Sequence, residues 1–129
     1  MDDELFRLYV DEAISSIPKE FLERIENVSI VISDLPSDQQ LKKAGLVGSD
    51  RILLGLYEGI PKTKRRGYGI GLTLPDKITI FKNSILSMAK NEDHLYNIVR
   101  NVIIHEIAHH FGMDENSVRD AESQRRNLK

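Results

Sequence analysis

Two histidines four residues apart, with a glutamate directly after the first, stand at His105, Glu106 and His109. On an α-helix, residues i and i+4 lie roughly 40° apart around the axis, so both imidazoles can reach a single metal ion. Glu106 sits about 100° further round, close enough to hold a water on that ion without ligating the ion itself. Such a trio suits hydrolysis by a metal-activated water and a carboxylate base. The chain has no cysteine, which excludes disulfides and thiolate ligation, so any metal must be held by nitrogen and oxygen.

The element that must carry this trio is a helix expected over residues 92–111. Asn91, Glu92 and Asp93 supply a cap and two acids at its start, and Gly112 is placed as its C′ residue. At about 100° per residue, Leu95, Ile98, Val99 and Val102 share the sector of His105, Glu106 and His109. The trio is therefore expected to continue an inward-facing, buried stripe, where unpartnered imidazoles would cost several kcal/mol and a metal would remove most of that cost. His110 points elsewhere and reads as a supporting or surface residue. His94 lies over ~15 Å of axial rise from His105 and is not a ligand.

A catalytic zinc takes three protein ligands and a water. With His105 and His109 as two, Gly112 can reverse the chain and bring the next residues back. The spacing H-E-x-x-H-x-x-G-x-x then reaches Glu115, the expected third ligand, with Asp114 its nearest competitor and Glu122 a more distant one. Zinc would lower the pKa of its water towards ~7, and Glu106 would take the proton and later return it to the leaving amine. Tyr68, Tyr57 and Arg100 are unranked candidates for a second oxyanion donor.

The remainder reads as scaffold. A helix is expected over 3–17, closed by Pro18, which can open a second over 19–26. Val28–Ile32 is a β-branched run expected to form a buried strand. Ser37 can cap a helix over 38–43 that stops near Gly45. A second strand is expected over 51–57, followed by a locally basic loop over 58–67 that lacks the glycine pattern of a phosphate loop. Strands over 68–74 and 78–81 are expected to flank a tight turn at Pro75-Asp76-Lys77, with the glycine-rich 68–74 a candidate edge able to pair with an extended peptide. Asn83 or Ser84 can cap a helix over 85–90, and a polar last helix is expected over 116–126.

Composition bounds the partners. The 129 residues suit one domain with a single core. A net charge of −2 offers no electrostatic case for nucleic acid or membrane. No apolar run approaches the roughly 20 residues of a membrane span, and the acidic Met1-Asp2-Asp3-Glu4 start lacks the pattern of a secretory leader. A cytoplasmic protein is the simplest expectation.

Residues 105–115, HEIAHHFGMDE, match H-E-[IV]-A-H-H-F-G-[IM]-x-[DE] throughout, and in this the chain resembles the small bacterial zincin-like metallopeptidases, or minimal metalloproteases. The resemblance extends to LLGLYEGIP at 53–61 and LPDKITIF at 74–81. It implies a minimal zincin-like α+β domain spanning residues 1–129, a small mixed sheet packed by helices. It further implies a Zn2+ cofactor on His105 and His109, an acidic third ligand at Glu115, Glu106 as acid/base, and a peptide or protein substrate. The downstream Met-turn of true metzincins is lacking, since Met113 falls too early. The alternative is a metal-binding or partner-binding module on the same scaffold with little turnover. Oligomeric state and cleavage preference are not encoded in any motif.

Overall fold

The computed structural model describes residues 1–59, 76–113 and 115–123, and of Glu115 the backbone alone. The expected 68–74 strand, Tyr68, Pro75, Asp114 and most of the basic loop lie outside the described residues.

Helix α1 (Asp3–Ser15) starts on Asp2, whose side chain accepts the Leu5 N–H at 2.8 Å. It buries Phe6, Val10 and Ala13, spaced four and three residues apart as one helical face requires. Pro18 opens α2 (Lys19–Leu22), which tightens into a 3₁₀ turn over Glu23–Ile25. Strand β1 (Val28–Ser33) follows, then α3 (Asp38–Lys43), which carries a full capping box between Ser37 and Gln40.

Strands β2 (Gly55–Glu58) and β3 (Asp76–Phe81) complete the described sheet, in the order β1-β3-β2. β1 pairs parallel to β3, with Ile30 opposite Ile78, and β2 pairs antiparallel, with Tyr57 opposite Ile78. The fold is thus a small mixed α+β domain. Two expectations are corrected here. The second strand begins at Gly55, not at 51, because β3 runs into a helix at Lys82 and leaves nothing opposite residues 51–53; the last rung is Phe81 N–H to Leu54 O, 3.0 Å. Asp76 and Lys77 are not a turn but the first residues of β3, held by pairing with Val28 and Ser29.

Central β3 is the buried strand, with Ile78, Thr79, Ile80 and Phe81 at 1% exposure or less. β1, expected to be buried, is half-exposed because it lies at one margin of the described sheet. Helix α4 (Lys82–Met88) starts three residues earlier than expected and has no side-chain cap. Instead Lys82 is drawn inward and its Nζ pairs with Asp3 Oδ1 at 2.7 Å.

Helix α5 (Glu92–Phe111) crosses the sheet and α1, capped at its start by Asn91, which accepts the His94 N–H at 2.8 Å. It ends at Gly112, in the left-handed region at φ 62° and ψ 37°. Helix α6 (Glu115–Ser123) then packs back on α5. The core lies between α1, α5 and the sheet, built from Phe6, Val10, Phe21, Ile78, Ile80, Ile85, Val99, Ile103 and Ile107. No helix among the described residues is long and apolar enough to cross a membrane.

Candidate active site

The buried residues of α5 are Leu95, Tyr96, Val99, Arg100, Ile103, Ile104, Ile107 and Ala108. Projected around the axis, they centre almost opposite His105 and His109. The expectation that the histidines extend the buried stripe is therefore corrected: they lie on the open side of the helix, with Ile98 and Val102 half-buried beside them. The reason is the second apolar sector, Ile103, Ile104 and Ile107, which takes the core and turns the histidine sector to solvent. His105 retains 64% side-chain exposure, so the pair has little desolvation to recover.

The histidines form a ridge between two clefts. One, of about 570 Å³, lies between α5 and α6 and is lined by His105, His109, Met113, Val118 and Glu122. The other, of about 630 Å³, lies between α5 and β2 and is lined by His105, Glu106, His109, Gly55, Arg51 and Asn101. β2 approaches α5 very closely there. A Cβ built on Gly55 would stand 2.4 Å from Val102 Cγ1 and 3.2 Å from Thr79 O, so only glycine fits.

Glu106 occupies the boundary between the open and buried sectors, facing β2. Burial pushes its carboxyl above the ordinary carboxylate range, while His109 and a hydrogen bond from the Tyr57 backbone N–H pull it back part of the way. Tyr57 is in turn held by donating its O–H to Asp76 Oδ2 at 2.7 Å. The carboxyl thus has a fixed position beside the ridge and an enhanced proton affinity.

On the other side, Glu122 of α6 places Oε1 2.7 Å from His105 Nε2. The side chain of Glu115, expected as third ligand, and Asp114 lie outside the described residues. Among the described residues, no three His, Asp or Glu side chains are gathered round one point. The donor set is two imidazoles on one helix with a carboxylate against one of them, which is the nitrogen and oxygen chemistry zinc accepts. In donor type, though not as a gathered set of three among the described residues, these side chains suit the metal.

Of the other candidates, His110 is exposed and stacks on Tyr57, and His94 Nδ1 accepts the Lys90 N–H at 3.0 Å at the far end of α5. Arg100 does not serve the clefts. It is 1% exposed on the core side of α5, where it donates to Ser16 Oγ at 3.0 Å and to the carbonyl of Ala121. Sequence reading passed over Arg51 and Asn101 in the second cleft. Asn101 lies one residue before Val102 and four before His105, a helical spacing that could have signalled it. Arg51 comes from an irregular segment and carried no such signal.

The sequence model of the zincin-like metallopeptidase family matches residues 25–125, which contain β1, β2, β3, α5 and α6. The chain belongs to this family. Among solved structures, this zincin-like chain is similar to a conserved hypothetical protein from Thermo thermophilus, at 22% identity and a TM-score of 0.54. The likeness covers 86% of this chain and 94% of that one, and it is a likeness of fold. A comparison with curated proteins found no match.

Proposed function

We propose that this zincin-like chain is a zinc-dependent peptidase, with His105 and His109 as metal ligands and Glu106 as general acid/base. Its third ligand would come from the C-terminal side of Gly112, where Glu115 is expected and Asp114 and Glu122 compete. The observation that carries the reading is the position of Glu106. It is a half-buried carboxyl of raised proton affinity, fixed by the Tyr57 N–H, directly beside two imidazoles at the mouth of a cleft.

A bound zinc ion would supply a Lewis acid that acidifies water and polarises a substrate carbonyl. Glu106 takes a proton from water in the cleft and delivers it to the departing amine nitrogen. Its burial makes it a stronger base than an exposed glutamate, and the Tyr57 N–H keeps the carboxyl aimed along one direction. The α5–β2 cleft presents apolar walls at Ile52, Leu54 and Ile98 with polar groups at Arg51 and Asn101, which suits a peptide carrying both side chains and a polar backbone. The absence of cysteine suits a reducing compartment such as the cytoplasm.

The test is the zinc content of the purified protein, followed by digestion of a peptide library with wild type and Glu106→Gln. We expect both to hold zinc and the variant to cleave about 10² to 10⁴ times more slowly. Zinc in both proteins with cleavage by neither would make the chain a metal-binding module instead.

A further inference from the structure

We infer that Arg51 is a specificity-determining residue that selects substrates carrying a carboxylate, an inference that rests on the peptidase reading of the α5–β2 cleft. Arg51 and Asn101 line that cleft with Ile98, Glu106 and the two histidines. Among the described residues lining it, Arg51 is the one permanently cationic side chain and Glu106 the one carboxylate.

The place of Arg51 follows from the register of β2 against α5. Gly55 packs on Val102, and the Tyr57 N–H reaches Glu106. Two strand residues span about 6.6 Å and four helical residues about 6 Å, so strand and helix advance together in one direction. Arg51 precedes Gly55 and so enters the cleft on the Asn101 side of Val102, away from Glu106. From Glu106 back to Asn101 the helix rises ~7.5 Å, the span of about two residues of extended peptide. A carboxylate on Arg51 therefore lies about two residues from a bond held at Glu106, clear of that glutamate's own charge.

Neither polar group is engaged elsewhere. Arg7, Lys43 and Lys82 each meet a carboxylate, whereas the Arg51 guanidinium has no hydrogen-bonding or ionic partner among the described residues. The half-buried Asn101 amide has none there either. The backbone beneath Arg51 is pinned on both sides. Its own N–H donates to Ser49 Oγ at 3.0 Å, and Leu54 O accepts the Phe81 N–H at 3.0 Å. A guanidinium presents its donors in a planar fork that matches a carboxylate, and the amide on the facing wall can take a peptide backbone group. An acidic side chain and a peptide's C-terminal carboxylate share this chemistry.

The experiment uses the full chain in the presence of zinc and short fluorescent peptide libraries that differ in charge alone. Each peptide carries one glutamate, glutamine or lysine, and each library is made with a free and with an amidated C-terminus. Binding is read by anisotropy on Glu106→Gln, alone and combined with Arg51→Gln or Arg51→Glu, while cleavage is read in parallel on chains that keep Glu106. We expect carboxylate-bearing peptides to bind about tenfold more tightly than neutral ones, a preference that weakens as salt rises. Arg51→Gln should abolish the preference and Arg51→Glu should turn it towards lysine peptides, which a merely structural role of Arg51 would not do. A preference that survives amidation assigns the acidic side chain, and one lost on amidation assigns the C-terminus. Equal binding of all libraries, binding of none, or an unchanged preference in Arg51→Glu would overturn the inference. Charge-selective binding by Glu106→Gln with no cleavage by the wild type would instead sink the peptidase reading and leave Arg51 as the anion-recognising residue of a binding cleft.

Discussion

Tyr57 lies flat on the imidazole of His110, with ring centroids 3.8 Å apart and planes 13° from parallel. Phe111 meets both rings edge-on, at 6.0 Å from Tyr57 and 4.9 Å from His110. This three-ring cluster ties the end of α5 to β2, and the backbone of Tyr57 is what holds Glu106. Removing the stack in His110→Ala should lower stability by about 1 kcal/mol, while His110→Phe should keep most of it. Urea unfolding of the three proteins checks this, and equal losses in both variants would show that ring stacking contributes nothing.

The contact between Gly55 and Val102 makes a sharper demand. Gly55→Ala forces a methyl into a 2.4 Å gap and should destabilise by about 1–3 kcal/mol. Val102→Ala should restore a large part of that loss when combined with it, which a double-mutant cycle measures as a coupling energy. Strict additivity would mean that Thr79 O, at 3.2 Å, sets the limit instead.

Glu58 gives a pH signature away from the site. Burial alone would raise its carboxyl, but hydrogen bonds from Lys43 and Gln40 and the charges of Lys43 and Lys77 outweigh it and hold the group below its ordinary range. A depressed carboxyl binds its proton less tightly in the folded than in the unfolded chain. Its stabilising contribution is therefore full above the ordinary carboxylate pKa and lost as pH falls through the depressed one. Glu58→Gln should cost roughly 1 kcal/mol at pH 7, and the difference should shrink as pH falls below the ordinary carboxylate range. Chemical unfolding on both sides of that range tests it, with a pH-independent difference as the refuting result.

Arg100 links three elements: its guanidinium reaches Ser16 at the end of α1 and Ala121 in α6 from the middle of α5. Burial lowers its pKa, and nearby Tyr96 partly offsets this. Arg100→Met keeps the bulk but strands the carbonyl of Ala121, and should destabilise by about 2 kcal/mol. Hydrogen exchange should show the largest loss of protection in α6, which packs on α5 and is tied to it through this guanidinium.

Much of the helix that carries the candidate site is legible in the sequence because helical spacing is short-ranged. The limits of α5, its Asn91 cap and its Gly112 ending followed from local residue chemistry, as did the capping box at Ser37 and Gln40. What failed depended on partners distant in the chain. The inward direction of the histidines was misread because both sectors of α5 are apolar, and only the packed α1 and sheet decide which is core. Asp76 and Lys77 have the composition of a turn, yet pairing with Val28 and Ser29 makes them strand. The approach of Glu122 to His105 depends on how α6 folds back, which a buried arginine at position 100 determines and no pattern announces. Glu115 and Asp114 stay as sequence expectations.

Gly112 stops α5 just three residues after His109, so the histidine ridge occupies the last two turns of a helix of 20 residues. The carbonyl end of such a helix carries a partial negative charge that decays within about one turn. The ridge therefore has a polarity along its length. A cation on His109 lies inside that field, favoured by roughly 0.3–1 kcal/mol, whereas one shifted towards His105 largely escapes it. The same field disfavours an anionic ligand group near Gly112 and tolerates it better towards Asn101, giving an asymmetric cleft whose direction is set by the helix itself.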